Sequence, residues 1–336
     1  MFKNNYVYCF WDFELNPISF DIIWFLAACD HYAKKIGYQN ISISFIPEFD
    51  KEKRKYPKNY DQIIDYNSRE WRKKNICFDA TSLFPRIKEI NISNDREKIL
   101  NCRNELFNFL ESNFDDQDNK PILFPFDLNS VGHWEYYKYI NQNINNNEKN
   151  WGIKPSIQSI RYVEDWFKLN QIDPAKTITL TFRQLEVDKQ RNNKIDEWFK
   201  FAEYLKSINY FPLVVPDSDY IFKENYGFSK KNYTFFEHHA FNLELRAALY
   251  AKSKINFFTS SGPASLCQMN PDTNYVVTDI IDKSDKFYGK SREFLELKSF
   301  VVDKNPSFCN SRQIFHWENS NCDQLIKLLN DVIKNI

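Results

Sequence analysis

The sequence predicts an α/β protein of two Rossmann-like domains facing a cleft. A strand–helix–strand run opens the chain, a second such run begins at Thr177, and a polar stretch, Gln142 to Lys149, lies between them. Strand, helix and strand at this spacing make a βαβ unit and imply a parallel sheet. The expected organisation is a first domain over residues 1–150, a second over residues 151–320 and a C-terminal helix over residues 321–336.

In the first domain, Tyr6-Val-Tyr-Cys-Phe-Trp11 reads as a buried strand. Ser19 to Ile36 reads as an amphipathic helix, with Ser19 placed to cap its start and Gly37 its end. Ile41 to Ile46 alternates and stops at Pro47, giving the second strand. A charged helical region follows over Asp61–Lys74, then short segments near Ile76 and over Ile87–Ile92. A helix from Asp95 to Phe114 and a strand over Pro121–Phe126 complete the domain. QNINNNEK has no apolar period and reads as a linker.

In the second domain, Thr177 to Phe182 is a strand and Asn193 to Ile208 a helix, with Ile195, Trp198, Phe199, Ala202 and Leu205 at helical spacing. Tyr210 to Val215 is the next strand, Leu243 to Lys252 a short helix and Lys254 to Thr259 another strand. Ser261 opens a further helix and Asn274 to Thr278 forms one more strand. Leu325, Ile326, Leu328, Leu329, Val332 and Ile333 give the closing segment a helical face.

Composition excludes several function classes. The 336 residues include only six glycines, no two of them within ten residues of each other. Ordinary usage would supply roughly 24. The closely spaced glycines of a dinucleotide fingerprint, a P-loop or a nucleophile elbow are therefore missing. Forty-five basic side chains balance 45 acidic ones, against a nucleic-acid binder that relies on phosphate neutralisation. The seven cysteines are scattered with no CxxC pair, which fits reduced thiols in a cytoplasmic protein. Asp12 and Glu14 interrupt the first apolar stretch, so no signal peptide is expected. The longest uncharged apolar run, Ile22 to Cys29, is too short to span a bilayer, leaving peripheral membrane contact at most.

In open parallel sheets ligands bind beyond the carboxyl ends of the strands. Arg183, Glu186 and Arg191 follow one strand, Asp217 and Asp219 the next, and Thr259-Ser-Ser-Gly-Pro-Ala-Ser265 a third. A strand ending in small hydroxyl residues, with glycine and proline at a helix entry, exposes amide donors suited to a phosphate. Ser260, Ser261 and Ser265 add hydroxyls, and Arg183 or Arg191 a counter-charge. The same segment also suits a plain capped strand-to-helix turn.

The run Asn242-Leu-Glu-Leu-Arg246 followed by AALYAKSKINFFTSSGPASLCQ resembles the nucleotide-binding part of the C-terminal domain in GT-B glycosyltransferases. TLTFRQ, with Arg191-Asn192 and DEWFKFAEYL, resembles the opening of that domain. SFDIIWFLAACDHY and Arg69-Glu-Trp-Arg72 resemble the N-terminal half of uncharacterised bacterial proteins encoded with surface-polysaccharide genes. The resemblance implies a GT-B-like glycosyltransferase of surface polysaccharide biosynthesis. It would move a sugar from a nucleotide-sugar donor, bound by the second domain, to a glycan or glycolipid acceptor on the first. Ser260, Ser261, Gly262, Pro263 and Ser265 would surround the donor diphosphate with Arg183 and Arg191 assisting, and Glu244 would lie near the ribose or base.

A retaining pattern would place a glutamate a few residues after the glycine, where this chain has Ala264-Ser-Leu-Cys-Gln268, and that favours inversion. The acceptor base is then sought among Asp12, Glu14 and Asp21, which follow the first strand, and His133 beyond the Pro121–Phe126 strand. His238 and His239 are further candidates at the donor. Asp217-Ser-Asp219 resembles the DxD of metal-dependent transferases, but so short a motif recurs in solvated turns; Asp217 is expected at the donor with no divalent metal and no other cofactor. Arg69 and Arg72 share a helix face open to an anionic ligand or to solvent. Two rival readings are a nucleotide-sugar epimerase or hydrolase of the same fold and a non-catalytic glycan- or nucleotide-binding protein.

Overall fold

The computed structural model describes residues 2–48, 65–112, 120–125, 133–148, 150–184, 192–217, 232–281 and 292–336. Arg191, Glu186, Asp219 and Phe126 lie outside the described residues. The chain divides into two compact units, one of Met1–Ile140 with Asn150–Gly152, the other of Asn141–Lys149 with Ile153–Ile336. No helix of the described residues is long and apolar enough to cross a membrane.

The first unit is a four-stranded parallel sheet in the order β3-β2-β1-β4. Its elements are β1 (Tyr6–Asp12), α1 (Asp21–Lys35), β2 (Asn40–Ile46), α2 (Tyr66–Arg72), β3 (Ile87–Ile92), α3 (Arg96–Ser112), β4 (Ile122–Phe124) and α4 (Trp134–Asn143), whose last turn passes into the second unit. Strand β1 alternates between two covered faces. Tyr8 and Phe10 pack with Ile99 and Leu106 of α3, whereas Trp11 meets Phe25 of α1 and Tyr136 of α4, ring centroids 5.1 and 6.0 Å apart. Cover on both faces explains why β1 reads as a continuous apolar run. Helix α1 starts one residue later than expected: Phe20 is its N-cap, and the Ser19 hydroxyl donates to the Asp21 carboxylate instead. At its other end Gly37 has φ +80°, the left-handed conformation after a helix that glycine adopts most easily. The segment expected near Ile76 is a π-helical turn, Lys73–Phe78, continuing α2 and followed by the 3-10 turn Asp79–Leu83.

The second unit is a six-stranded parallel sheet in the order β10-β9-β8-β5-β6-β7. In chain order it comprises α5 (Ile157–Leu169), β5 (Thr177–Thr181), α6 (Ile195–Ser207), β6 (Phe211–Val215), β7 (Thr234–Phe235), α7 (Leu243–Lys252), β8 (Ile255–Thr259), α8 (Ser265–Gln268), β9 (Tyr275–Thr278), α9 (Arg292–Leu297), β10 (Gln313–Phe315) and α10 (Cys322–Ile333). Ile178, Leu180, Phe257 and Val276 on one face of the sheet share a core with Trp198, Phe201 and Leu205 of α6 and Leu325, Leu329 and Val332 of α10. On the other face hydrogen bonds link the threonines of β5: Thr179 Oγ1 donates to Asn256 Oδ1 at 2.7 Å, and Thr181 Oγ1 lies 3.0 Å from Tyr250 Oη. The capping box of Asn321 with Gln324 starts α10.

Five elements were not expected from the sequence: α4, α5, β7, α9 and β10. The apolar stripe of α5 is diluted by exposed Ile157, Tyr162 and Leu169. Strands β7 and β10 span two and three residues, too few for an alternation to show. Conversely, the helix expected from Ser261 is a 3-10 turn, Gly262–Ala264, and the single-turn α8.

Candidate functional site

In the second unit, β5 leads outward to β6 and β7 on one side, while β8, β9 and β10 continue on the other. The strand order therefore reverses between β5 and β8, the topological switch point where open α/β sheets take their ligands. Register pairs Thr181 with Phe258 and Thr181 with Val215. Two residues past these pairings come Arg183, Ser260 and Asp217, at the carboxyl ends of three adjacent strands.

The serine turn after β8 is partly built and partly open. The Ser260 amide donates to Thr278 O at 2.8 Å, and the Ser265 hydroxyl donates to Gly262 O at 2.7 Å, closing the turn. The Ser261 hydroxyl is buried without a hydrogen-bond partner, and the Ser261 and Gly262 amides have none among the described residues. Pro263 has no amide hydrogen to offer. A seven-residue helical segment carries little dipole, so any anion here answers to these donor groups and to Arg183 rather than to a macrodipole.

Arg183 is 6% exposed. Its Nη1 donates to Asn192 Oδ1 at 2.7 Å, its amide to Asn193 Oδ1 at 2.7 Å, and its carbonyl accepts from the Asn193 amide at 3.2 Å. The neighbouring Gln184 amide donates to Asp217 Oδ2 at 3.1 Å, so Asp217 ties the end of β6 to the end of β5. Arg246 is a residue the sequence analysis left without a role. It is buried in α7, with Nε 3.0 Å from Tyr250 Oη, which in turn meets Thr181 at the end of β5.

Glu244 and the histidines have other surroundings. Glu244 Oε2 accepts from the Ser156 hydroxyl and, at 2.6 Å, from the Ser159 hydroxyl, so it fastens α7 to the first turn of α5. Those contacts support a structural tie rather than a ribose contact. His238 is exposed, its ring 5.6 Å from Tyr162 and 5.2 Å from Phe236. His239 is buried between the Phe236 and Pro216 carbonyls. Burial and the Arg246 charge push its pKa down to about 3, outweighing the pull of the two carbonyls.

In the first unit the order β3-β2-β1-β4 reverses between β1 and β4; of the sequence-predicted bases Asp12 ends β1, Glu14 and Asp21 follow it, and His133 comes after β4. Asp12 accepts from Arg96 of α3 through both oxygens, at 2.7 and 2.6 Å, and Glu14 Oε2 lies 3.1 Å from the same guanidinium. Arg96 also donates to Pro47 O at 2.8 Å. The adjacent Glu48 pairs with Arg69 and, at 3.1 Å, with Lys73. Arg69 is thus buried in an ion pair rather than presented on a solvated face. Asp21 accepts from Tyr137 Oη at 2.8 Å and from Ser19 Oγ at 2.5 Å. The His133 ring lies 6.5 Å from that of Tyr137, so Tyr137 stands against both Asp21 and His133. Asp12 and Glu14 form one group and Asp21 and His133 another.

No protein-family model and no curated protein matches the sequence. Solved structures do match along nearly the whole chain. The glycosyl transferase family 9 structure from Veillonella parvula superposes with a TM-score of 0.53 at 10% identity, covering 100% of this chain and 98% of that one. The ADP-heptose LPS heptosyltransferase II of E. coli superposes with a TM-score of 0.51 at 9% identity, covering 98% of each. The fold is that of the GT-B glycosyltransferases. Within this GT-B fold the serine turn and Arg183 flank the switch point of the second sheet, and Asp12, Glu14 and Arg96 gather beyond β1 of the first.

Proposed function

We propose that the chain is a glycosyltransferase of surface polysaccharide biosynthesis, its second unit holding a nucleotide-sugar donor and its first unit a glycan or glycolipid acceptor. One observation carries the reading. The buried Ser261 hydroxyl and two amides, without partners among the described residues, stand next to the strand that presents Arg183, where the strand order reverses. Donors fixed in advance around a leaving diphosphate stabilise charge as the glycosidic bond breaks, with no reorganisation at that moment. The reading is supported by the GT-B fold, shared with two glycosyltransferases, one of which is named for ADP-heptose.

Transfer proceeds with inversion in this proposal, so one group must take the proton of the acceptor hydroxyl. Both oxygens of Asp12 already accept from Arg96, and those of Asp21 from Tyr137 and Ser19. Glu14, which meets Arg96 through Oε2, is the first choice, and His133 the second. Charge on the leaving group falls to Arg183 and the turn donors, with no divalent cation and no cofactor assigned. Thermal unfolding with ADP, UDP, GDP and CMP tests the donor site. A rise in midpoint with at least one nucleotide is expected, and no rise with any of them overturns the proposal.

A further inference from the structure

Among the described residues of the second unit, five buried side-chain polar atoms have no hydrogen-bond partner: Asn141 Oδ1, Asn193 Nδ2, Ser261 Oγ, Asn274 Oδ1 and His316 Nε2. Such groups are rare in folded proteins, and their positions call for explanation. Three of the five gather at one edge of the sheet. Ser261 follows β8, His316 follows β10, and Asn193 is bonded to Arg183 after β5. That is the carboxyl edge, where open α/β sheets bind ligands.

Asn193 is the most tightly held of the three. It is 6% exposed. Its Oδ1 accepts from the Arg183 amide at 2.7 Å, its own amide donates to Arg183 O at 3.2 Å, and its carbonyl accepts from Gln184 Nε2 at 3.2 Å. These bonds settle the orientation of the carboxamide. Turning it over would set its NH2 against the Arg183 N–H, donor against donor. Nδ2 is therefore a fixed donor, within about 5 Å of the Arg183 amide nitrogen by ordinary amide dimensions. The Arg183 guanidinium is anchored alongside by Asn192 Oδ1.

The neighbouring strand, about 5 Å away, brings the Ser261 hydroxyl and the Ser261 and Gly262 amides. Carboxamide NH2, guanidinium, backbone amides and a hydroxyl form a set rich in donors, and its complement is an anion with several oxygens. We propose that Asn193 is a ligand-binding residue whose Nδ2 donates to an anionic oxygen of the same diphosphate that Ser261 and Arg183 hold. The proposal rests on the reading of the serine turn as a diphosphate site, and it adds a contact outside the segments that resemble a nucleotide site.

Calorimetric titration with inorganic pyrophosphate, with inorganic phosphate as a second probe, tests this on the full chain. Asn193→Asp keeps the side-chain volume and the oxygen that receives the Arg183 amide, but puts an acceptor where the donor stood. Pyrophosphate affinity is expected to fall at least tenfold in Asn193→Asp and about as far in Ser261→Asp, while Asn141→Asp, away from this edge, binds as the parent does. If the parent binds pyrophosphate and Asn193→Asp binds it within twofold, the Asn193 contact is overturned and the diphosphate reading stands. If the parent binds neither pyrophosphate nor any of the four nucleotides, both fall together. Tighter binding of phosphate than of pyrophosphate overturns the diphosphate as ligand. A crystal structure of the parent chain soaked with pyrophosphate is independent of how the variants fold. Nδ2 within about 3.2 Å of a phosphate oxygen supports the contact, and Nδ2 facing only protein overturns it.

Discussion

Arg96 holds Asp12 by both carboxylate oxygens, at 2.7 and 2.6 Å, joining the start of α3 to the end of β1 across 84 residues of sequence. Both side chains are largely buried. Removing one member of such a pair leaves the other charge uncompensated, which costs about 3 kcal/mol or more. Asp12→Asn is therefore expected to lower stability by about that amount, read as a shift of the urea midpoint at unchanged slope. Unchanged stability would show that the pair does not hold the loop after β1 in place. Glu14→Gln, removing a carboxylate that meets the same arginine through Oε2 at 3.1 Å, is expected to cost less than Asp12→Asn.

Ser261→Asp places a carboxylate beside the Ser261 and Gly262 amides, which have no acceptor among the described residues. Protection by the best nucleotide should vanish. A ligand present at a hundred times its dissociation constant stabilises the parent by about 2.7 kcal/mol. For a chain of this size that is a rise of several degrees in unfolding midpoint. The unliganded midpoint should stay level or rise, because aspartate is a favourable residue before a helical turn. Retained protection in the variant would remove the turn from the donor site.

Glu244 carries two serine hydroxyls of α5 on one oxygen. Glu244→Gln should reduce stability by about 1.5 to 3 kcal/mol, the range for hydrogen bonds to a charged group, and leave nucleotide affinity as it was. A tenfold loss of affinity with stability intact would return Glu244 to the ribose.

His239 makes stability depend on pH. Its pKa in the fold is about 3 against 6.5 in an unfolded chain, so folding favours the neutral ring. The contribution is complete above about pH 6.5 and is lost as pH falls from there towards 3. At pH 5, one and a half units below the unfolded value, the loss is about 2 kcal/mol at about 1.4 kcal/mol per unit. Denaturation midpoints between pH 5 and 7 should therefore fall more steeply for the parent than for His239→Gln. Parallel slopes would mean that the two carbonyls around the ring keep it protonated.

The βαβ alternation, the register of Ile41–Ile46 against Pro47, the helix of Asn193–Ile208 and the strand running into the serine turn could all be read along the chain. Each is written in neighbours two to four positions apart, where strand and helix periods leave their mark. Strand order required the packed sheet. Only there do β5 and β8 become neighbours, putting Arg183 next to a turn nearly eighty residues further on.

Residue roles divided the same way. Glycine and proline at a helix entry after a strand, with hydroxyl residues on either side, could already be read in the sequence. That Ser265 closes the turn while Ser261 is left without a partner depends on side-chain geometry that no spacing encodes. Asp12, Glu244 and Arg69 are visible in the sequence as charged residue types and nothing more. Whether such a group faces substrate or neutralises a partner is decided by which distant side chain packs against it, because a charge taken from water must be paired where it is buried. The sequence by itself determined the elements and the edge at which chemistry is sought. Tertiary packing decided which of the groups at that edge were already engaged and which, like Asn193 Nδ2 and Ser261 Oγ, were left without a partner.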